Sequence, residues 1–292
     1  MARIADYQCT YDNAAGFGSW AADDYGIRFP ESYKEAEMMV KLAKAVKDHN
    51  HTAMCQLPFC HTLEAEALGG KIRLGNGLAG PRVSEYVCNS LEEVLELPAL
   101  DLGSDHAKRF RETLQACRML KAMGEPVVFL VSGPMTILNG LTDPGQLFRA
   151  FLKKPELAAR IFEVMGREIL TVMKAAEEAG ADMISYADPA GGVNIVGPKV
   201  AGRVVDMFTA PFLKQVDKEL KKETVVLLCP KTAFALIGTE TAQWKDWELP
   251  EPMEYLPAVL YMKKQIRFAG QDCMNHVGHR LENRIFKELV LK

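Results

Sequence analysis

Residues 155–188, PELAARIFEVMGREILTVMKAAEEAGADMISYAD, join a long helical pattern to a buried strand. Proline suits the first turn of a helix and glycine the position just after its end, so Pro155 and Gly180 mark the two ends of this helix. The pattern predicts a helix over residues 155–179. The apolar segment at residues 182–187 predicts a strand that Asp188-Pro189 ends. One such unit places a strand and its helix in adjacent layers.

The same alternation recurs along the chain. Further strands are predicted at residues 52–57, 127–131, 224–229 and 266–270, further helices at 35–46, 109–123, 198–220 and 257–265, and a weaker strand pattern at 284–291. Nearly continuous apolar strands that alternate with helices are typical of a parallel sheet. Because no linker or repeat divides the chain, we expect one α/β domain over residues 1–292, a (β/α)8 TIM-type barrel. A doubly wound open sheet is the alternative.

The charge balance excludes several classes of partner. Lys plus Arg number 35 and Asp plus Glu number 38, which gives a formal net charge of −3 and no basic field for nucleic acid or a membrane surface. The seven cysteines, an odd number, fit reduced thiols better than a disulfide framework. Residues 1–7 lack the apolar run of a signal peptide. We therefore expect a cytoplasmic protein.

Chemistry-bearing side chains gather where the predicted strands end, which is where parallel α/β proteins place their sites. These candidates are Cys60, His61, Glu64, Glu66, Asp188, Cys229, Cys273, His276 and His279. Thiolate, imidazole and carboxylate are the ligands that zinc prefers, and a catalytic zinc keeps one position open beside three protein ligands. Their positions favour a metal-binding role for Cys229 and Cys273.

Each candidate also has a structural interpretation. Asp188 can cap the turn that follows its strand, or it can face a ligand. Glu64 and Glu66 suit the first turn of a helix, and since side chains two apart point in different directions, only one is expected to face the site. Most cysteines pack as small apolar residues, and this is expected for those at 9, 55, 88 and 117, whereas Cys60 stays open.

At these residues the chain resembles the uroporphyrinogen decarboxylase superfamily, which implies a (β/α)8 barrel. The resemblance is carried by LPFCHTLEAEALG at 57–69, SGPMT at 132–136, AGADMI at 179–184, ADPA at 187–190 and the strand that ends at Cys229. The decarboxylase itself matches less well. Its arginine-rich R-Q-A-G-R signature is absent, Cys60 stands where it has an essential aspartate, and the strand ends offer Lys231 but no arginine.

The segments at 57–69 and 187–190 are more similar to the cobamide-dependent methyltransferases of the methylcobamide:coenzyme M type. That resemblance implies zinc, bound in the family through H-x-C and a later cysteine. Cys229 matches the first cysteine, Leu227 occupies the histidine position, and Cys273 is the candidate for the second cysteine. Glu66, His61 or His276 would then supply the third ligand, and we favour Glu66.

The resemblance further implies methyl transfer between a corrinoid protein and a small thiol, methoxy or methylamine-type substrate, with Asp188, Glu66 and His61 as catalytic residues. The chain contains no corrinoid-binding D-x-H-x-x-G motif, so the methylcobamide is expected on a partner protein. A homodimer is compatible with this picture. The alternatives are a porphyrinogen decarboxylase and a non-catalytic partner of a corrinoid protein.

Overall fold

A computed structural model of the chain describes residues 4–7, 9 and 15–292. Met1 to Arg3 lie outside the described residues, and they are part of the N-terminal segment in which the sequence predicts no signal peptide. The strands are β1 (Cys55–Leu57), β2 (Lys71–Arg73), β3 (Arg82–Glu85), β4 (Val127–Ser132), β5 (Met183–Ala187), β6 (Val225–Leu228), β7 (Ala242–Glu248), β8 (Phe268–Ala269) and β9 (Ile285–Leu291). The helices are α1 (Trp20–Tyr25), α2 (Ala36–His49), α3 (Leu63–Ala67), α4 (Leu91–Val94), α5 (Lys108–Ala122), α6 (Pro134–Asn139), α7 (Pro144–Lys153), α8 (Pro155–Glu178), α9 (Val193–Val204), α10 (Ala210–Glu219), α11 (Pro230–Gly238) and α12 (Tyr255–Met262).

Seven strands form one mostly parallel sheet in the order β1-β4-β5-β6-β8-β9-β7. The first five of these strands pair in parallel, and β9 runs antiparallel to both β8 and β7. Strands β2 and β3 form a separate hairpin. This arrangement confirms the predicted α/β class. Within the described residues the hydrogen-bonded order has β1 and β7 at its ends, so closure into an eight-stranded barrel stays a prediction.

The central strands bury side chains on both faces. All six residues of β4 are buried. Phe129 belongs to the large core that α5 and α8 also line, whereas Val128 belongs to a second core together with α12. The same alternation holds in β6, where Val226 faces the large core and Leu227 the second one. Helix α12 therefore covers the sheet face opposite to the outer helices.

The helices predicted at residues 109–123 and 155–179 are confirmed within one residue as α5 and α8. The helix predicted over 198–220 is also present, but its start and middle are irregular. Gly197 has a φ of 75°, which breaks the helical path before Pro198, and Val205–Thr209 form a π turn before α10. A proline at the first position of a helix needs no hydrogen-bonded N–H, which explains why the regular helix begins there.

Strands β7 and β9 depart from the predicted parallel pattern. They pair antiparallel along seven residues, with Lys245 opposite Glu288 and Asp246 opposite Lys287. Opposite charges that face each other across two strands stabilise the pairing. The residues of β7 are mostly polar or aromatic and half-exposed, which is typical of an antiparallel edge rather than of a doubly covered parallel strand. An apolar run therefore does not mark β7 in the sequence.

No helix in the described part of the chain is both long and apolar enough to cross a lipid bilayer.

Asp182 connects three elements at the amino end of β5. Its carboxylate accepts hydrogen bonds from Lys121 Nζ of α5 at 2.5 Å, from Lys263 Nζ just after α12 at 2.9 Å and from Val127 N of β4 at 2.9 Å. Burial acts to raise the pKa of this carboxyl, but the two lysines and the backbone N–H outweigh it and lower the pKa. Asp182 therefore holds α12 and α5 against the sheet.

We expect Asp182→Asn to lower the free energy of unfolding by about 1–3 kcal/mol at pH 7, because it removes a charged acceptor from three donors. A lowered pKa in the folded state stabilises the protein above the unfolded pKa, and this contribution is lost as the pH falls. The difference between the variant and the wild type should therefore shrink in acid, as measured by urea unfolding. Glu163→Gln, which breaks the exposed pair with Arg167, is the control and should change little. Equal losses in both variants would contradict the role of Asp182.

Candidate active site

Two adjoining cavities open where the parallel strands end. The inner pocket, of about 50 Å³, is lined by Cys9, His61, Leu130, Ser185, Ala187, Pro189, Leu227, Leu228, Cys229, Pro230, Cys273, Met274 and Asn275. The outer cleft, of about 600 Å³, is lined by Cys9, His61, Thr62, Pro81, Arg82, Val83, Tyr86, Thr136, Asn139, Gly140, Pro189, Ala190, Ile195, Cys229 and Lys231. The shared residues show that the inner pocket is the floor of the outer cleft.

The structure brings together the two cysteines that the sequence singles out. Cys229 precedes α11, Cys273 lies in the turn after β8, and both are half-buried in the wall of the inner pocket. Burial, with smaller contributions from the nearby sulfurs of Cys273 and Cys9, raises the pKa of the Cys229 thiol to about 12. The pKa of Cys273 is also raised, chiefly by burial. Both groups are therefore thiols at neutral pH unless a positive charge lies beside them.

Cys9 is a third thiol at this pocket. It is exposed and lines both cavities. The sequence interpretation of Cys9 as a structural residue is therefore wrong. No local pattern could have revealed its position, because it depends on residues far along the chain, such as Cys229 and Cys273, that line the same pocket.

His61 stands in the turn after β1, on the wall shared by both cavities. Its Nδ1 lies 3.3 Å from Ser132 Oγ at the end of β4. Removal of water from the ring lowers the pKa of His61 to about 4. The imidazole is therefore neutral at physiological pH, and contact of Nδ1 with Ser132 leaves Nε2 as its available donor atom.

Glu64 is the acid of α3 that faces this region. It is 2% exposed, and its Oε1 accepts a hydrogen bond from Ser132 N at 2.7 Å. Its Oε2 has no hydrogen-bond partner among the described residues, and burial raises the pKa of the carboxyl. Of the two acids, Glu64 is therefore the one that contacts Ser132, the residue that also contacts His61.

Glu66 is paired elsewhere. Its carboxylate forms an ion pair with the buried guanidinium of Arg109. Arg109 also donates to Cys60 Sγ at 3.2 Å and to Thr62 Oγ1 at 3.0 Å. Neither Glu66 nor Cys60 lines the two cavities. These contacts hold the turn that carries His61, and they give no support to the predicted catalytic and metal-ligand roles of Glu66.

Asp188 follows the end of β5 and lines neither of the two cavities. It is buried, and its carboxylate accepts hydrogen bonds from Thr136 Oγ1 at 2.7 Å, Thr136 N at 2.8 Å and Met135 N at 3.2 Å. Burial raises the pKa of Asp188 to about 6 against the opposing effect of these donors. The carboxylate thereby satisfies the free N–H groups at the start of α6. A side chain at Gly133 would collide with it, since a Cβ there would lie 2.4 Å from Asp188 Cβ.

Positive charge is present in the outer cleft. Lys231 of α11 and Arg82 of β3 both line it, and Lys231 Nζ donates to Asn194 Oδ1 at 3.0 Å. The sequence interpretation found Lys231 but no arginine. Arg82 belongs to the β2–β3 hairpin, which lies outside the parallel sheet, so an inspection of strand ends could not have found it.

The sulfur and nitrogen atoms around the inner pocket are of the kinds that bind zinc. Thiols and a neutral imidazole are its preferred ligands. Within the described residues, however, these thiols and this imidazole are not placed as a group of three donors that could hold a metal ion.

The sheet, its outer helices and a cysteine-lined cavity at the strand ends define a protein of the α/β class with a site at the carboxyl edge. A profile of the uroporphyrinogen decarboxylase (URO-D) family matches residues 20–245, and the chain belongs to this family.

Known relatives within this family are methyltransferases. The chain is 24% identical over 209 residues to the methylcobamide:CoM methyltransferase MtaA of Methanosarcina barkeri, covering 72% of this chain and 60% of MtaA. It is 28% identical over 226 residues to MtbA of Methanosarcina mazei, covering 72% of this chain and 62% of MtbA. The chain thus spans somewhat less than two thirds of the length of these relatives. The resemblance drawn from the sequence is confirmed.

A solved structure supports the fold. A methyltransferase from Methanosarcina mazei superposes with a TM-score of 0.62 at 22% identity, covering 77% of this chain and 69% of the other.

We expect the pH dependence of stability to report on Asp188. Its pKa is about 6 in the folded chain against an ordinary 3.8, so the folded state holds the proton more tightly. The stability of the wild type should therefore fall as the pH rises from about 4 to 7, relative to Asp188→Asn, by about 1–3 kcal/mol. Urea unfolding at several pH values measures this difference. Thr136→Ser keeps the hydroxyl donor and should retain the wild-type profile. Parallel profiles for wild type and Asp188→Asn would contradict the assignment.

Proposed function

We propose that the inner pocket and the outer cleft are the site of a corrinoid-dependent methyltransferase. It would move a methyl group between a corrinoid protein and a small thiol, methoxy or methylamine-type substrate. Membership of the URO-D family and the names of the methylcobamide:CoM relatives support this class of reaction. The observation that carries the proposal is the presence of Cys229 and Cys273 on one half-buried pocket at the carboxyl edge of the sheet.

In this proposal Cys229 and Cys273 hold a zinc ion. His61 completes the set of ligands in preference to Glu66, because His61 lines the pocket whereas Glu66 is paired with Arg109. A bound zinc ion supplies a positive charge that lowers the pKa of a thiol or water, which favours a nucleophile at neutral pH.

The chain's own groups have separate tasks. Ser132 orients the His61 ring through Nδ1, and Glu64 fixes the backbone of Ser132. Asp188 holds the start of α6 against the end of β5, which makes it a positioning residue here. Arg82 and Lys231 give the outer cleft a positive charge that suits a small substrate with an anionic group.

The outer cleft is the proposed approach for the corrinoid. At about 600 Å³ it is large enough for a small substrate together with one edge of a carried cofactor. The cobamide would arrive on a separate protein. The (β/α)8 barrel, a single domain over residues 1–292, a cytoplasmic location and a homodimer stay predictions that rest on the sequence and the family.

The first test removes the thiols. Purified wild type supplied with zinc should carry zinc and should demethylate free methylcobalamin with a small thiol, as followed by its absorbance. Cys229→Ala and Cys273→Ala should each lower zinc content and lower the rate at least about 100-fold, because each removes a metal ligand. Cys88→Ala is the matched control, since Cys88 is buried away from both cavities.

Full activity in both pocket variants would overturn the proposed thiol site. Binding to a corrinoid protein without zinc or turnover would instead support the non-catalytic alternative.

The URO-D profile and the positive residues of the cleft keep the decarboxylase as a second candidate. Formation of coproporphyrinogen from uroporphyrinogen would establish that candidate, and we expect none.

The second test concerns His61. His61→Ala should lower kcat at least about 10-fold and reduce zinc affinity, because the pocket loses its neutral nitrogen ligand. Ser132→Ala should have a smaller effect of the same sign, since it removes only the group that orients the ring. Thermal unfolding of each variant checks the fold. A wild-type rate and zinc content in His61→Ala would exclude His61 as a ligand.

A further inference from the structure

Three ligand-type side chains converge in the turn that follows β8. Asp272 Oδ2 lies 2.9 Å from His276 Nδ1 and 3.4 Å from His279 Nε2. The three donor atoms all lie within 4.8 Å of one another, and within the described residues this is the one compact set of three Cys, His, Asp or Glu donors. The two imidazole rings are nearly parallel, with centroids 4.8 Å apart.

The carboxylate of Asp272 is held in place by hydrogen bonds to its other oxygen, Oδ1. Tyr7 Oη donates to Asp272 Oδ1 at 2.7 Å, and Cys273 N donates to the same oxygen at 2.8 Å. These two bonds leave Oδ2 directed to the histidines. Such an arrangement, with one carboxylate oxygen held by donors and the other facing imidazoles, is how proteins orient a metal-binding carboxylate.

The two histidines are partly open to solvent. The side chain of Asp272 is 9% exposed, whereas those of His276 and His279 are 56% and 35% exposed. The backbone beneath them is held, since Tyr255 N donates to the carbonyl oxygen of His279 at 2.9 Å. A cation could therefore reach the three donors without unfolding the turn.

We propose that Asp272, His276 and His279 bind a divalent transition-metal ion of the zinc class. Two ligands about 2.0–2.1 Å from such an ion lie about 2.9–3.4 Å apart in octahedral and tetrahedral geometry. The separations of the two ring nitrogens from Asp272 Oδ2 fall at these values, the shorter one being a hydrogen bond that a bound ion would replace, and all three donors lie within 4.8 Å of one another. Two imidazoles and one carboxylate are borderline ligands that suit zinc, cobalt or iron rather than calcium or magnesium. Three protein ligands leave at least one position for water or a small molecule.

This site is separate from the proposed thiol site. Cys273 lines the inner pocket, whereas His276 and His279 line a different small cavity with Thr52, Glu254 and Tyr255. The two share only the turn in which Asp272 precedes Cys273. The inference therefore does not depend on the proposed methyl transfer, and its donors contain no sulfur.

Cobalt(II) tests the site on the full chain, because its absorption spectrum distinguishes sulfur ligands from nitrogen and oxygen. In Cys229→Ala/Cys273→Ala, added Co²⁺ should still bind at one ion per chain and should show no thiolate charge-transfer band. Adding His276→Ala/His279→Ala to that variant should abolish this binding. Asp272→Asn should weaken it about 10–100-fold. Glu254→Gln, which changes a carboxylate of the same small cavity outside the triad, is the matched control and should leave Co²⁺ affinity unchanged.

Thermal unfolding without metal checks that each variant folds, and Zn²⁺ measured by elemental analysis repeats the comparison. Undiminished Co²⁺ binding after loss of both histidines would overturn the proposal. Loss of all Co²⁺ binding in the cysteine variant would also overturn it, because that result would indicate one shared site. The triad is established if the histidine variants with both cysteines intact lose only the sulfur-free Co²⁺ signal and keep the thiolate band. Failure of methyl transfer alone would affect only the proposed function.

Discussion

Strands β4, β5 and β6 bury side chains on both faces, with the outer helices on one side and α12 on the other. An unpaired polar group along such a strand is costly, because it is buried without a hydrogen bond. Tyr186 of β5 is one such group, since its buried Oη has no hydrogen-bond partner among the described residues. The candidate site residues His61, Cys229 and Cys273 instead stand beyond the strand ends, where both cavities open.

Patterns of local sequence predict the parts of the fold that depend on apolar burial. The long helix α8 and strand β4 have uninterrupted signals of this kind, and their limits are reproduced closely. Strand β7 contains charged residues and two tryptophans, and it pairs with residues of β9 that lie far away in the chain, such as Lys245 with Glu288. Such long-range pairing leaves no trace in a short window of sequence.

The residues of the candidate site likewise fall into those that the sequence indicates and those that it does not. The positions of Cys229 and Cys273 follow from the strand ends, so the sequence indicates them. The preference for Glu66 failed to find structural support because Arg109, which pairs with it, lies 43 residues later on α5. The protonation states of the site residues could not be predicted from the sequence either. Burial raises the pKa of the Cys229 thiol and lowers that of His61, and burial is a property of the whole packed chain.

Leu227 occupies the position where the methyltransferase resemblance implies a histidine, and it is packed into the core shared with α12. The remaining donors, His61 and Cys273 among them, stand on turns rather than inside strands. A donor on a turn has to give up more conformational freedom when a ligand is bound than one already fixed in a sheet. An ion held by these turns would accordingly exchange faster than one held by a strand, and the occupancy of this edge would follow the supply of metal around the protein.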